Sequence, residues 1–166
     1  MLFRSLFVAG KLDPKPGGPA FQDFVVEKPE HSPHYEYHLH DPEDPRAHRR
    51  SVYRFLVRSQ TQPFMTTLDC ADPSMQVGKR NESVSALQAL ALLNNGLMVT
   101  MAKHFAAKLE AAGGDLPTKV ERAFREALAR APSAEEKANL TTYAEQHGLA
   151  NACRVLFNLN EFAFVD

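Results

Sequence analysis

Four histidines, His31, His34, His38 and His40, lie close together and are followed at once by Asp41 and Glu43. Neutral imidazole is a good ligand for zinc or copper, and two or three rings on one segment can share an ion with a carboxylate. The spacing, H-x2-H-x3-H-x-H, matches no standard metal signature. A helical turn would bring His34 towards His38, whereas an extended chain would put His38 and His40 on one face. The plainer reading makes them surface or packing histidines. His48, His104 and His147 stand alone, His147 near the expected end of a helix.

A second chemical cluster is basic: Arg46, His48, Arg49, Arg50, Arg54 and Arg58. The planar guanidinium fork suits phosphate or a sulfated glycan. The structural alternative is a polar network in which Arg50, Arg58 and Arg80 pair with Asp69 and Asp72. A formal net charge of -1 gives no general attraction to polyanions, so a nucleic-acid partner is not expected.

Covalent catalysis finds no constellation. Ser51, Ser59, Ser83 and Ser85 lack a G-x-S-x-G setting, and neither a P-loop nor a G-x-G-x-x-G run is present. Cys70 and Cys153 are the only cysteines. Without C-x-x-C or C-x-x-C-H they support neither a zinc ribbon nor attachment of a c-type haem. Cys153 falls on the apolar stripe of a helix and reads as a small hydrophobe.

These residues need elements to hold them, and the elements are mostly helical. The chain is organised around residues 83–113. Ser85 and Gln88 form a capping box opening an apolar helix from Ala86, which the periodicity places in the core. Asn95 caps a second helix, with Met98, Met101, Ala102, Phe105 and Leu109 on one stripe and Gly113-Gly114 as the stop. Together they are expected to form a buried helical hairpin. Further on, Val120, Ala123, Phe124, Ala127 and Leu128 mark an amphipathic helix starting near Pro117 or Thr118. Ser133 and Glu136 form another capping box, Gly148 closes that helix, and Leu149, Ala152, Cys153, Leu156 and Phe157 mark a last one. Residues 162–165 are expected to leave extended.

The front of the chain is different. Residues 10–46 hold seven of the eleven prolines, so long helices are excluded there. Phe21, Phe24, Tyr35, Tyr37 and Leu39 make this an ordered arm rather than a linker. In residues 49–59 Tyr53, Phe55 and Val57 alternate with Arg54, Leu56 and Arg58, which predicts a strand pairing with residues 21–26, with a helix as the alternative. The expectation is a single domain over 1–166: a proline-rich arm (1–46), a strand and irregular region (47–82) and a helical body (83–166). The fold class is mainly α, with about five helices and a short strand pair. No stretch is long and apolar enough for a membrane span, and residues 1–10 read as a helix ended by Gly10 rather than a signal peptide.

Six blocks recur in one order: Gly10-Lys-Leu-Asp13 with Gly17-Gly18-Pro19; Arg49-Arg50-Ser51-Val52-Tyr53; Leu68-Asp69-Cys-Ala-Asp72; Leu87-Gln88-Ala-Leu90 with Leu92-Leu-Asn94; Ala129-Arg-Ala-Pro132-Ser-Ala-Glu-Glu136; and Leu156-Phe-Asn-Leu-Asn-Glu-Phe162. In these the chain resembles a planctomycete-specific, PSD-type domain of unknown function. That domain forms the C-terminal part of large secreted proteins that often carry a cytochrome-c-like domain. The resemblance covers nearly the whole chain. It implies an extracytoplasmic location, a longer architecture of which this is the end, and no assigned catalytic residues. Two positions depart from the pattern: Ala86 stands where many members have proline, and Val77 where many have a cysteine, which leaves Cys70 free or paired with Cys153. The function this implies is a non-catalytic accessory or interaction domain docking other domains, a partner protein or an extracellular glycan. An exposed apolar patch is then expected near Leu2, Phe3, Leu6 and Phe7. The alternative is a metal-binding module or metal-dependent enzyme using the His31–His40 arm.

Overall fold

The structure is a computed structural model that describes residues 2–27, 32–71, 75–76, 78, 83 and 85–163. Among these the fold is mainly α, with eight α-helices and one two-stranded antiparallel sheet. The chain divides into two compact units, Met1–Leu12 with Leu92–Asp166, and Asp13–Ala91.

The first unit is helical. It contains α1 (Leu2–Val8), α4 (Gly96–Ala111), α5 (Leu116–Leu128), α6 (Ala134–His147), α7 (Leu149–Phe157) and α8 (Asn160–Ala163). The starts of α4, α5 and α6 each have a chemical cause. The Asn95 Oδ1 accepts from the Leu97 and Met98 amides at 3.0 and 3.4 Å to start α4. Asp115 caps α5 by accepting from the Thr118 amide at 3.0 Å, with Pro117 in the first turn where its missing N–H costs nothing. The Ser133–Glu136 capping box opens α6, and Gly148 closes it. The expected stripes are the buried ones. Met98, Met101, Ala102, Phe105 and Leu109 of α4 are almost fully buried, as are Leu149, Ala152, Cys153, Leu156 and Phe157 of α7. At the centre the rings of Phe105 and Phe157 stack at 5.8 Å, and Phe157 and Phe162 at 4.6 Å. Burial of Phe162 is also why residues 160–163 are helical rather than extended. The Arg4 guanidinium lies 5.0 Å from the Phe162 ring centroid and donates to the Glu161 and Phe162 carbonyls, tying α1 to α8.

The second unit carries the prolyl arm. Here β1 (Val25–Glu27) pairs with β2 (His34–Glu36), placing Val25 opposite Glu36, Val26 opposite Tyr35 and Glu27 opposite His34. Short 3-10 turns follow at Tyr37–Leu39, Pro45–Ala47 and Ser51–Tyr53, then α2 (Pro63–Thr67) capped by Gln62. Phe24 is the hub of the unit. It is buried, and the rings of Tyr35, Tyr37 and Phe55 meet it edge-on at 5.1, 5.5 and 6.0 Å.

Two further expectations are corrected. Residues 49–59 do not form a strand paired with 21–26. They meet at one parallel bridge, Phe21 with Arg54, where the Phe21 amide donates to the Tyr53 carbonyl and the Phe55 amide to the Phe21 carbonyl. The alternation holds only in part: Val57 is buried and Leu56 and Arg58 are exposed, but Phe55 is exposed while the Arg54 side chain is 11% exposed, because Arg54 turns in to meet Asp23. The second correction concerns α3 (Ala86–Asn94). Its capping box forms, with the Gln88 amide donating to Ser85 Oγ at 3.2 Å and the Ser85 amide to Gln88 Oε1 at 3.1 Å. Yet this helix is not buried. Gln88 and Leu92 are inside, whereas Leu87 and Leu90 are 64% and 60% exposed. Gln88 is drawn in by polar partners, described below, and that rotation turns two leucines outwards.

Candidate functional site

The second unit carries an open groove of about 720 Å³, bounded by residues 13–25 on one side and 39–49 on the other. Its walls come from a repeated dipeptide. Asp13-Pro14, Asp41-Pro42 and Asp44-Pro45 each make the same local turn. In each, the Asp carboxylate accepts from the backbone amide two residues on, Lys15 at 3.0 Å, Glu43 at 2.9 Å and Arg46 at 3.0 Å. Proline fixes φ between donor and acceptor, so each carboxylate is held in orientation by the backbone. For Asp44 the Arg46 guanidinium takes up the remaining capacity, donating from Nε and Nη2 at 2.7–3.0 Å. That pairing holds the Asp44 carboxyl down at about 2. Asp13 and Asp41 each keep a second oxygen.

The opposite wall is a glycine loop pinned by Arg49. Gly17 and Gly18 both have positive φ, +71° and +87°, a conformation that side chains disfavour. The Arg49 guanidinium donates to the carbonyls of Pro19 at 2.9 Å, Lys15 at 3.4 Å and Gly17, and stacks 4.6 Å from the Tyr53 centroid. A parallel bridge joins Asp13 to Arg49, with the Asp13 amide donating to the His48 carbonyl at 2.8 Å. His48 is buried, and its Nε2 faces the Pro42 carbonyl at 2.8 Å, which requires the proton on that nitrogen. Arg49 and His48 are thus structural, shaping the groove from behind.

Asp23 and Arg54 form an ion pair at 3.6 Å with side chains only 15% and 11% exposed. Asp23 Oδ1 is buried and has no hydrogen-bond partner among the described residues. Burial pushes the Asp23 carboxyl above its ordinary range, outweighing the opposing pull of Arg54. The Tyr37 phenol is raised too, first by burial and then by the Asp23 charge, while its OH donates to the Gln60 carbonyl at 3.0 Å.

The histidines are spread over several elements. His34 is on β2, His38 in the following 3-10 turn and His40 just beyond it at the groove edge; His31 lies outside the described residues. His38 Nδ1 sits 3.2 Å from Glu36 Oε2 with a largely exposed ring. Among the described residues no group of three or more His, Cys, Asp or Glu is placed to hold a metal ion.

Of the predicted polar network, Asp72 and Arg80 lie outside the described residues, and Arg50 and Arg58 are at the surface. Asp69, at φ +56°, accepts through Oδ2 from the Ser83 amide at 2.7 Å, the Ser83 hydroxyl at 2.6 Å and Gln88 Nε2 at 3.0 Å. Gln88 Nε2 also donates to Ser83 Oγ at 2.9 Å. Sequence reasoning placed the capping role of Gln88 but not this second one, nor the Asp23–Arg54 pair. The Asp-Pro repeat was the available sign of the groove.

Large apolar side chains reach the surface in both units. On α1, Leu6 is buried while Phe3 and Phe7 are 45% and 64% exposed, their rings stacked 6.4 Å apart. Both cysteines are free thiols, Cys70 exposed and Cys153 buried. No helix among the described residues is long and apolar enough to cross a membrane.

A family model, PSD1, described as a protein of unknown function (DUF1553), matches residues 4–144. No curated protein and no solved structure matches the chain.

Proposed function

Taking as premise that the chain belongs to the PSD1 (DUF1553) family of unknown function, we propose that it is a non-catalytic accessory domain of a secreted planctomycete protein that also bears a cytochrome-c-like domain, and that it docks other parts of that protein through α1. The observation that carries this is the division of α1 into two faces. Ser5, Leu6 and Val8 are buried, while Phe3 and Phe7 stand out together as a stacked aromatic pair. Fully burying an exposed phenylalanine is worth about 1.5–3 kcal/mol, and Phe3 and Phe7, 45% and 64% exposed, forgo roughly half of that each. Phe and other aromatics are also enriched in the fully desolvated centres of protein interfaces.

The reading is tested with this chain and the cytochrome-bearing part of the same protein, produced separately and mixed in an analytical ultracentrifuge. A saturable complex is expected, and Phe3→Ser/Phe7→Ser is expected to abolish it while keeping the circular dichroism spectrum. No complex with the unaltered chain, or an equally tight one with the double variant, refutes it.

A further inference from the structure

We propose that the groove of the second unit is a binding site for a neutral saccharide. This goes beyond the docking role of α1 and stands on different residues. The groove volume, about 720 Å³, falls within the roughly 300–1,000 Å³ of small-ligand sites. Its lining balances in charge: Asp13, Asp41 and Asp44 against Lys15, Arg46 and Arg49. After the internal pairs are made, Arg46 is held by Asp44, and Arg49 is turned to backbone carbonyls. What remains towards a ligand is a specific set, in which Lys15 brings one ammonium. Asp13 and Asp41 each offer one carboxylate oxygen, oriented by an Asp-Pro turn. Gln22 brings an amide, and Phe21 and Leu39 bring apolar surface.

Sugar hydroxyls are donors that suit fixed carboxylates, and the C–H face of a pyranose packs on rings and aliphatic groups. The same set disfavours the other candidates. An anionic ligand would meet two carboxylates opposed only by the single ammonium of Lys15. A cation would need converging ligands, and no such group exists among the described residues. The fixed acceptors are preorganised, so a ligand would bind without first ordering the turns.

The test is titration of the isotope-labelled chain with cellotetraose, xylotetraose, mannotetraose and chitotetraose, followed by amide chemical shifts and calorimetry. A heparin tetrasaccharide and tetralysine are run beside them. Saturable binding of at least one neutral tetrasaccharide is expected, with shifts clustered at residues 13–22 and 39–46. Asp13→Asn and Asp41→Asn keep the oxygen that accepts from the backbone amide, so the turns survive. Each should weaken binding roughly tenfold or more, the scale of losing a hydrogen bond to a charged acceptor. Gln22→Ala, at an exposed position outside both turns, should also weaken it. Any of three results overturns the proposal: no saturable binding of any neutral tetrasaccharide, binding that all three variants leave unchanged, or preference for heparin or tetralysine. None of these bears on α1, whose phenylalanines take no part.

Discussion

The Asp23–Arg54 pair makes a quantitative prediction about the second unit. Removing one partner of a fully buried ion pair costs about 3–5 kcal/mol, because the survivor is a desolvated charge with nothing to offset it. Here the side chains keep 15% and 11% of their exposure and the charges stand 3.6 Å apart, so Arg54→Met should cost less, about 2 kcal/mol near pH 8. The cost should also depend on pH. Asp23 already has a raised pKa in the folded chain. A raised folded pKa means stability that is full below the ordinary carboxylate range and lost as pH rises through the folded value. Without Arg54 the carboxyl rises further, so proton uptake relieves the variant as pH falls, and near pH 5 the loss should shrink to about 1 kcal/mol. Asp23→Leu/Arg54→Met, which removes both charges, should lie within about 1 kcal/mol of the natural chain. The assay is urea unfolding followed by tyrosine fluorescence. Of the four tyrosines, Tyr35, Tyr37 and Tyr53 belong to the second unit and only Tyr143 to the first, and there is no tryptophan. Helical circular dichroism follows the first unit in the same samples. An Arg54→Met loss that is equal at both pH values, or a double variant worse than Arg54→Met, would refute the reasoning.

Three further outcomes are expected. Phe157→Ala removes a fully buried ring stacked on Phe105 and Phe162 and should cost about 3–5 kcal/mol, read as a lower urea midpoint of the helical signal. Glu136 is held down to about 2, chiefly by the Arg130 guanidinium and then by the Ser133 amide. A depressed folded pKa gives stability above the ordinary glutamate value that is lost as pH falls towards 2, so the Tm gap between the natural chain and Glu136→Gln should close over that interval in acid scans. Burial pushes the Cys153 thiol up to about 12 while Cys70 is exposed; a disulfide exchange reagent should therefore modify one thiol per native chain and two only in denaturant.

The helical unit was largely legible from residue types, for a local reason. Ser133 with Glu136, Asn95, and the stripes of α4, α5 and α7 each couple a capping group to a 3.6-residue period, and both signals act within a few turns. What escaped was decided by non-local polar partners. Arg54 is turned inwards by a carboxylate thirty-one positions away, which breaks at Arg54 and Phe55 an alternation that otherwise reads as a strand. Gln88 is drawn in by Asp69 and Ser83, so an all-apolar helix turns Leu87 and Leu90 outwards. Periodicity ranks faces by hydrophobicity and carries no record of such pairings. The groove was legible only through three Asp-Pro steps whose turns are local but whose meeting around one groove is not.

The three hydrogen bonds converging on one oxygen of Asp69 have a consequence for how this chain can vary. They join Asp69 directly to Ser83 and Gln88, so two positions fourteen apart in the sequence are clamped together whatever the length of chain between them. Closure entropy grows only with the logarithm of length, and doubling such a stretch costs about 0.6 kcal/mol. Length changes among relatives should therefore accumulate between these two positions and leave Asp69, Ser83 and Gln88 in place.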